Sequence, residues 1–546
     1  MSSHDRFYVT TAIAYANNRP GLHTLYEVVG ADVLARWHRM KGDRTRFLTG
    51  IDEHSVNIAQ RAAELGKTPK EFVDENVALF KTAEDALLIS PDRFIRTSDP
   101  DHIRAAQEIV RRAYANGDIY VGNYEGWYCP AEGFKAPSDV IETAQGTRCP
   151  NHPTVDLQWL SEHNWFLRLS AYQGRLEKYY EEHPEFVQPD FRRNEMLGFI
   201  RGGLEDFSIS RSGASWGIPF PIMPDGSSSQ LPDGSWNPEA GTIYVWYDAL
   251  INYVTGAGFP DDPEAFAQWW PADLHVIGKD IARFHTIYWP VMLWSAGLEA
   301  PRRVWVHGWL LAQGERMSKS MGNFLDPVDV VKTLGGDGAR YVMLREVPFD
   351  KDADVSWDSF VRRYNTDLAN NFGNLVNRTV SMVNRYFDGD RPAAGQGGLL
   401  PTSWLSQSAK FAAHLDGCLL HEALADLWEF VDSANRLIDL EQPWALAKAK
   451  KGGDAAAGSR LAGVLGDLVE ACRLVALSAA PFMPGAAPRA LAQLGFEYGY
   501  DADGNGGPAL LAELQWVAHR EQAGRVGAAE PLFPRLETEA ATPAAG

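Results

Sequence analysis

Phe7-Tyr-Val-Thr-Thr-Ala-Ile-Ala-Tyr15, followed by Asn17-Asn-Arg-Pro-Gly21, decides the fold. A β-rich run meets turn chemistry, and a helix is expected directly after it. Leu22, Leu25, Val29, Val33 and Trp37 recur at spacings of three and four, which gives that helix one apolar face. Thr45 to Leu48 reads as a second strand, ending at Thr49-Gly-Ile-Asp-Glu-His54. Strand, Gly-bearing turn, helix, strand is how a doubly wound, Rossmann-like parallel sheet begins, and such sheets bind ligands beyond the carboxyl ends of their strands.

Working outward, the α/β rhythm of residues 1–117 stops at a stretch rich in aromatics, Gly and Pro, read as an insertion over 118–235. It resumes over 236–325 with Thr242-Ile-Tyr-Val-Trp246, with Leu274-His-Val-Ile277 before a helix from Ile281, and with Val304-Trp-Val306; these segments are expected to complete the sheet. A short connecting region spans 326–357, and from Ser356 strands give way to helical periodicity in Phe360 to Tyr386, Leu420 to Leu440 and Leu461 to Ser478. An α-helical bundle over 358–527 is expected, then a frayed tail over 528–546, rich in Ala, Pro, Glu and Thr.

The 546 residues exceed what one core usually organises, and 45% hydrophobic with 22% charged residues is ordinary for globular protein. No secretory signal opens the chain and no apolar run reaches a membrane span, since Ile287 to Leu298 is short and broken by Pro290; a cytoplasmic protein without a membrane partner is expected. Four cysteines are too few for a disulfide framework. The formal charge of −20 argues against indiscriminate binding to nucleic acid and leaves room for a local basic face that recognises RNA by shape.

Gly314-Glu-Arg316-Met317-Ser318-Lys319-Ser320-Met321-Gly322-Asn323 sets a lysine between two hydroxyls with glycines at both ends, an arrangement able to close on a polyphosphate. The string resembles the Lys-Met-Ser-Lys-Ser signature of class I aminoacyl-tRNA synthetases, with Arg316 in place of the first lysine. The resemblance implies that Arg316, Ser318, Lys319 and Ser320 act on the developing pyrophosphate. The partner signature, His-x-Gly-His, aligns with Gly21-Leu22-His23-Thr24, where both usual histidines are changed and His23 holds the glycine position. Two readings stay open: the helix N-terminus is kept with His23 or Thr24 as phosphate donor beside Gly21, or His23 is an exposed helical residue and activation is weakened.

Other segments resemble the methionyl family within that class. Ile13 and Tyr15, Asp52, the run Trp246, Ala249, Leu250 and Tyr253, and finally Ile281 and His285 match its amino-acid pocket. An aromatic and aliphatic cage with one carboxylate suits a flexible thioether that carries an ammonium. Cys129-Pro-Ala-Glu132 and Cys149-Pro-Asn-His152 resemble the family's zinc knuckle with one cysteine missing; Zn2+ held by Cys129, Cys149 and His152 with Glu132 or water, or an empty degenerate knuckle, both remain open. Asn374, Arg378 and Trp444 match anticodon-reading residues, an amide and a guanidinium for base edges and an indole for stacking.

The resemblance thus implies a catalytic domain split by the insertion, a stem-contact region at 326–357 and a helical anticodon-binding domain. It further implies L-methionine, ATP with Mg2+ and tRNA(Met) as partners. No OB-fold-like extension follows the bundle, so a monomer is expected. A synthetase-like RNA-binding paralogue with weakened catalysis, and a nucleotidyltransferase acting on a small apolar molecule, are the alternatives.

Overall fold

The first strand lacks an alternating polar face because both of its faces are covered. β1 (Arg6–Thr11), β2 (Ala14–Tyr15), β3 (Arg44–Asp52), β4 (Arg93–Arg96), β5 (Val187–Gln188), β6 (Leu274–Gly278) and β7 (Val304–His307) form one parallel sheet in the order β5-β7-β6-β1-β3-β2, with β4 also paired to β3. Sheets of this kind are clad on both sides. Phe7, Val9, Phe47 and Val276 face a core that includes α1 (Leu22–Lys41), whereas Tyr8, Leu48, Ile277 and Val306 belong to the core on the opposite face. Strand order reverses about β1, where the chain passes to β3 on one side and later returns as β6 on the other. The crevice beyond the carboxyl ends of β1 and β6 is therefore the switch point, the place where a doubly wound sheet takes its ligand.

The computed structural model describes residues 6–129, 133–135, 140–143, 146–150, 152–213, 216–312, 314–316, 325–507, 509–517 and 523–537. At 124, 133–135, 152–154, 160–162, 315 and 316 it describes the backbone alone.

Three expectations need correction. Thr242 to Trp246 does not join the parallel sheet: Thr242–Ile243 pairs antiparallel with Ser210–Arg211, and α2 (Val245–Leu250) begins at once. The stripe of Trp246, Leu250 and Tyr253 at helical spacing prevails over the β propensity of the run. The span 118–235 is not wholly outside the sheet, because β5 lies within it and pairs with Val304 and Trp305. The same span carries an antiparallel ribbon of Ile119–Cys129 against Gln158–Leu167 and the helices Gln173–Glu182 and Asp190–Arg201. The segment from 528 is not frayed as far as 537: Leu532 and Phe533 are buried, Phe533 sits edge-on to Tyr364, and Asn365 exchanges two hydrogen bonds of 2.9 Å with the Leu536 backbone.

After β7 come β8 (Leu310–Ala312) and β9 (Glu315–Arg316), an antiparallel pair. α3 (Pro327–Glu346) follows, and then β10 (Ala353–Asp354), which pairs with β8. The bundle opens with α4 (Trp357–Arg363), a π-helical stretch over Tyr364–Gly373 and α5 (Asn374–Phe387), and continues through α6 (Leu420–Glu441), α7 (Pro443–Lys451) and α8 (Ala455–Ala479). One apolar core runs from α1 through α3 into these helices. At the junction Arg340 of α3 pairs with Asp32 of α1 at 2.7 Å and donates to the carbonyls of Leu87, Pro481 and Phe482, which satisfies a guanidinium that has no access to water. Among the described residues no helix is long and apolar enough to cross a membrane.

Candidate active site

A cleft of about 740 Å³ opens at the switch point, and twelve of the residues singled out in the sequence line it: Ile13, Tyr15, Gly21, His23, Thr24, Asp52, Trp246, Ala249, Leu250, Tyr253, Ile281 and His285. They arrive from the end of β1 and β2, the first turn of α1, the end of β3, α2 and the short helix Asn252–Ala257 that follows it, and the helical turns after β6.

One half is an aromatic cage. Trp246 stacks on Phe284 with ring centres 4.0 Å apart, and Tyr15 meets Trp246 edge-on at 5.9 Å. His285 Nδ1 donates to the Ile281 carbonyl at 3.0 Å, so its Nε2 accepts the Tyr253 hydroxyl at 2.7 Å. Burial lowers the His285 pKa to about 4, which leaves the imidazole neutral. Asp52 closes this half from the end of β3. Its carboxylate accepts the His54 backbone N–H at 3.2 Å, and burial, reinforced by the charge of Asp248, pushes its pKa well above the usual carboxylate range. A bound cation would relieve that cost.

Asp248 lies deeper, with one oxygen 2.7 Å from His54 Nδ1 and the other 2.7 Å from His102 Nε2. Burial opposes its ionisation, but the charges and hydrogen bonds of the two imidazoles outweigh burial and hold its pKa below the usual value.

The other half is polar. α1 starts at Gly21 without a side-chain cap and without an acidic residue in its first turn, so its leading amides face the cleft as a natural anion site. The His23 ring folds back over Gly21, where a Cβ would lie 2.6 Å from His23 Cε1, and a larger residue at 21 would displace the imidazole. Sequence reading missed the pair at the floor. Glu27 accepts the Ala12 N–H at 2.8 Å and the His307 Nε2–H at 2.9 Å, while His307 Nδ1 donates to the Gly308 carbonyl at 2.7 Å. Burial raises the Glu27 pKa; it works against a charged His307, but Glu27 overrides it and raises the His307 pKa too. Asp280 and Trp309, also unforeseen, line the same half.

The hairpin of β8 and β9 brings the chain to Arg316, whose backbone pairs with Leu311. Ser318, Lys319 and Ser320 lie outside the described residues, as does Glu132 of the knuckle. Cys129 and Cys149 are buried together with Leu157 in a small apolar cluster, and among the described residues no group of three metal-binding side chains occurs. Of the four candidate donors, only the side chains of Cys129 and Cys149 lie within the described residues. In the bundle, Asn374 is exposed and Arg378 half-buried on α5, and Trp444 at the start of α7 is 47% exposed. Lys450 Nζ stands 4.4 Å from the Phe387 ring centre and links α7 to the end of α5.

Residues 7–380 match the family model described as tRNA synthetases class I (M). The methionine–tRNA ligase of Thermotoga maritima is 43% identical over 499 residues, covering 90% of this chain and 76% of that protein. The chain belongs to the class I methionyl-tRNA synthetase family. A second family member, the methionine–tRNA ligase of Mycobacterium tuberculosis, is 43% identical over 494 residues, covering 90% of this chain and 92% of that protein. The solved structure of Mycobacterium tuberculosis methionyl-tRNA synthetase in complex with methionyl-adenylate matches with a TM-score of 0.88 at 40% identity, over 97% of this chain and all of that one. The apo form of the same synthetase matches at 0.81 and 37% identity, covering 97% of this chain and 98% of that one.

Proposed function

We propose that this family member activates L-methionine with ATP and transfers it to tRNA(Met). The methionine carboxylate attacks the α-phosphorus, pyrophosphate leaves, and methionyl-adenylate forms. A hydroxyl of the terminal adenosine of tRNA then attacks the methionyl carbonyl and releases AMP. The observation that carries the reading is the convergence of twelve sequence-selected residues, from segments far apart in the chain, on one cleft at the sheet's switch point.

Asp52 takes the α-ammonium, whose charge compensates a carboxylate that burial and Asp248 disfavour. Ile13, Tyr15, Trp246, Ala249, Leu250, Ile281 and the Tyr253–His285 pair enclose the thioether, with His285 kept neutral so that no charge is buried against sulfur. ATP enters as its magnesium complex. Its phosphates meet the uncapped start of α1 at Gly21, with His23 and Thr24 as side-chain donors in place of the family's usual histidines. Arg316, Ser318, Lys319 and Ser320 close on the departing pyrophosphate. In the bundle, Asn374 and Arg378 read base edges of the anticodon and Trp444 stacks an unpaired base.

Methionine-dependent exchange of radiolabelled pyrophosphate into ATP tests the reading. The wild-type chain should exchange, Lys319→Ala should be close to inert while still binding methionine, and His23→Ala should slow exchange. Robust exchange by Lys319→Ala would remove the signature loop from the mechanism, and an unchanged rate for His23→Ala would remove His23.

A further inference from the structure

On the polar side of the cleft two segments meet edge to edge, Gly278-Lys279-Asp280 at the end of β6 and Gly308-Trp309 after β7. The Trp309 Nε1–H donates to Asp280 Oδ1 at 3.3 Å, and the Lys279 ammonium lies 3.8 Å from the Trp309 ring centre. Gly278, Asp280 and Trp309 line the cleft, whereas Lys279 stands outside its lining. The Lys279 ammonium donates to Asp352 Oδ2, and Asp352 Oδ1 accepts the Trp309 backbone N–H at 2.9 Å. One carboxylate thus fixes the backbone of Trp309 and, through lysine, the face of its indole.

Asp352 does not belong to the parallel sheet. It sits between α3 and α4, on the strap that leads into the helical bundle. The strap presses closely on this wall: a Cβ at Gly308 would lie 2.1 Å from the Lys351 carbonyl carbon. The Ala353 N–H donates to the Trp309 carbonyl at 3.1 Å, the Val355 N–H to the Leu311 carbonyl at 2.8 Å, and the Gly314 N–H to Asp354 Oδ1 at 2.7 Å. Burial opposes ionisation of Asp352, but Lys279 and the Trp309 N–H outweigh burial and keep its pKa below the usual value, so the ion pair persists at neutral pH.

We propose that Lys279 and Asp352 are positioning residues, a clamp that holds Trp309 and Asp280 against the nucleoside of ATP and makes the nucleotide half of the cleft depend on the segment joining catalytic domain to bundle. An indole and a carboxylate suit the flat base and hydroxyls of a nucleoside. The inference rests on the cleft being the site of methionine activation.

Pyrophosphate exchange by the full chain tests it, with KM measured separately for ATP and methionine. Lys279→Met and Asp352→Asn should each raise the KM for ATP about fivefold, about 1 kcal/mol, and leave the KM for methionine unchanged. Because the two side chains share one interaction, the double variant should be no worse than either single, and Lys279→Arg should recover most of the loss. A lowered melting temperature with an unchanged KM for ATP would make the pair purely structural and overturn the proposal, as would KM values for methionine that rise in step. Asp352→Asn keeps the shape and the acceptor for Trp309, so the KM split stays measurable if Lys279→Met folds poorly. A wild-type chain without methionine-dependent exchange would instead overturn the parent reading.

Discussion

Asp52→Asn trades affinity for stability. Asp52 is 2% exposed, its carboxylate accepts the His54 backbone N–H at 3.2 Å, and burial and Asp248 raise its pKa. A carboxyl whose folded pKa lies above its unfolded value adds stability fully at low pH and loses it as pH rises through the folded pKa. At neutral pH without ligand, the Asp52 site therefore weakens the fold. Asparagine has the same shape, keeps an acceptor for His54 and removes that cost, so the melting temperature of the unliganded variant at about pH 7.5 should equal or exceed that of wild type. The methionine ammonium, in contrast, loses its only proposed counter-charge in a dry site. Truncating one partner of a buried hydrogen-bonded charge pair costs about 2–5 kcal/mol, and a value of about 3 kcal/mol corresponds to a roughly hundredfold rise in KM for methionine. Pyrophosphate exchange against methionine concentration, with scanning fluorimetry on the same samples, measures both effects. A KM within twofold of wild type, or a clear fall in melting temperature, would refute the assignment of Asp52 as ammonium anchor.

Trp444→Ala should leave pyrophosphate exchange unchanged and lower kcat/KM for tRNA charging by roughly 10- to 100-fold, since one aromatic–base stack is worth about 1–3 kcal/mol; equal losses in both assays would point to a packing role instead. Phe533→Ala should cost about 3 kcal/mol in urea unfolding, because this residue is 6% exposed against Tyr364, and a loss below about 1 kcal/mol would mean that the segment is not seated. The His285 imidazole should stay neutral from about pH 8 down to about pH 5.5, and an NMR titration midpoint near 6.5 would contradict the Tyr253 and Ile281 hydrogen bonds that fix it.

Features governed by local periodicity were legible in the sequence. The Leu22 to Trp37 stripe gives α1, and the run ending at His54 gives β3, although that strand extends to Arg44–Asp52. The twelve candidates that line the cleft could be picked out because short motifs in separate segments each carried a chemical purpose. Features set by distant partners were not. Glu27 looks like an ordinary helical glutamate until His307, 280 positions away, comes to 2.9 Å. Asp248 gains its meaning only from His54 and His102, and Lys279 only from Asp352. β5 has two residues, too few to display a period. The tail misled because abundant Ala, Pro, Glu and Thr masked Leu532 and Phe533, whose burial ties 528–537 to the bundle.

Aminoacylation of initiator and elongator tRNA(Met), with methionine, isoleucine and cysteine offered in turn at equal concentration, tests the central claim most directly. The cleft built on Asp52, Trp246, Tyr253 and His285 predicts charging with methionine and background levels with the other two. Preferential charging with isoleucine or cysteine, or none with methionine, would contradict it.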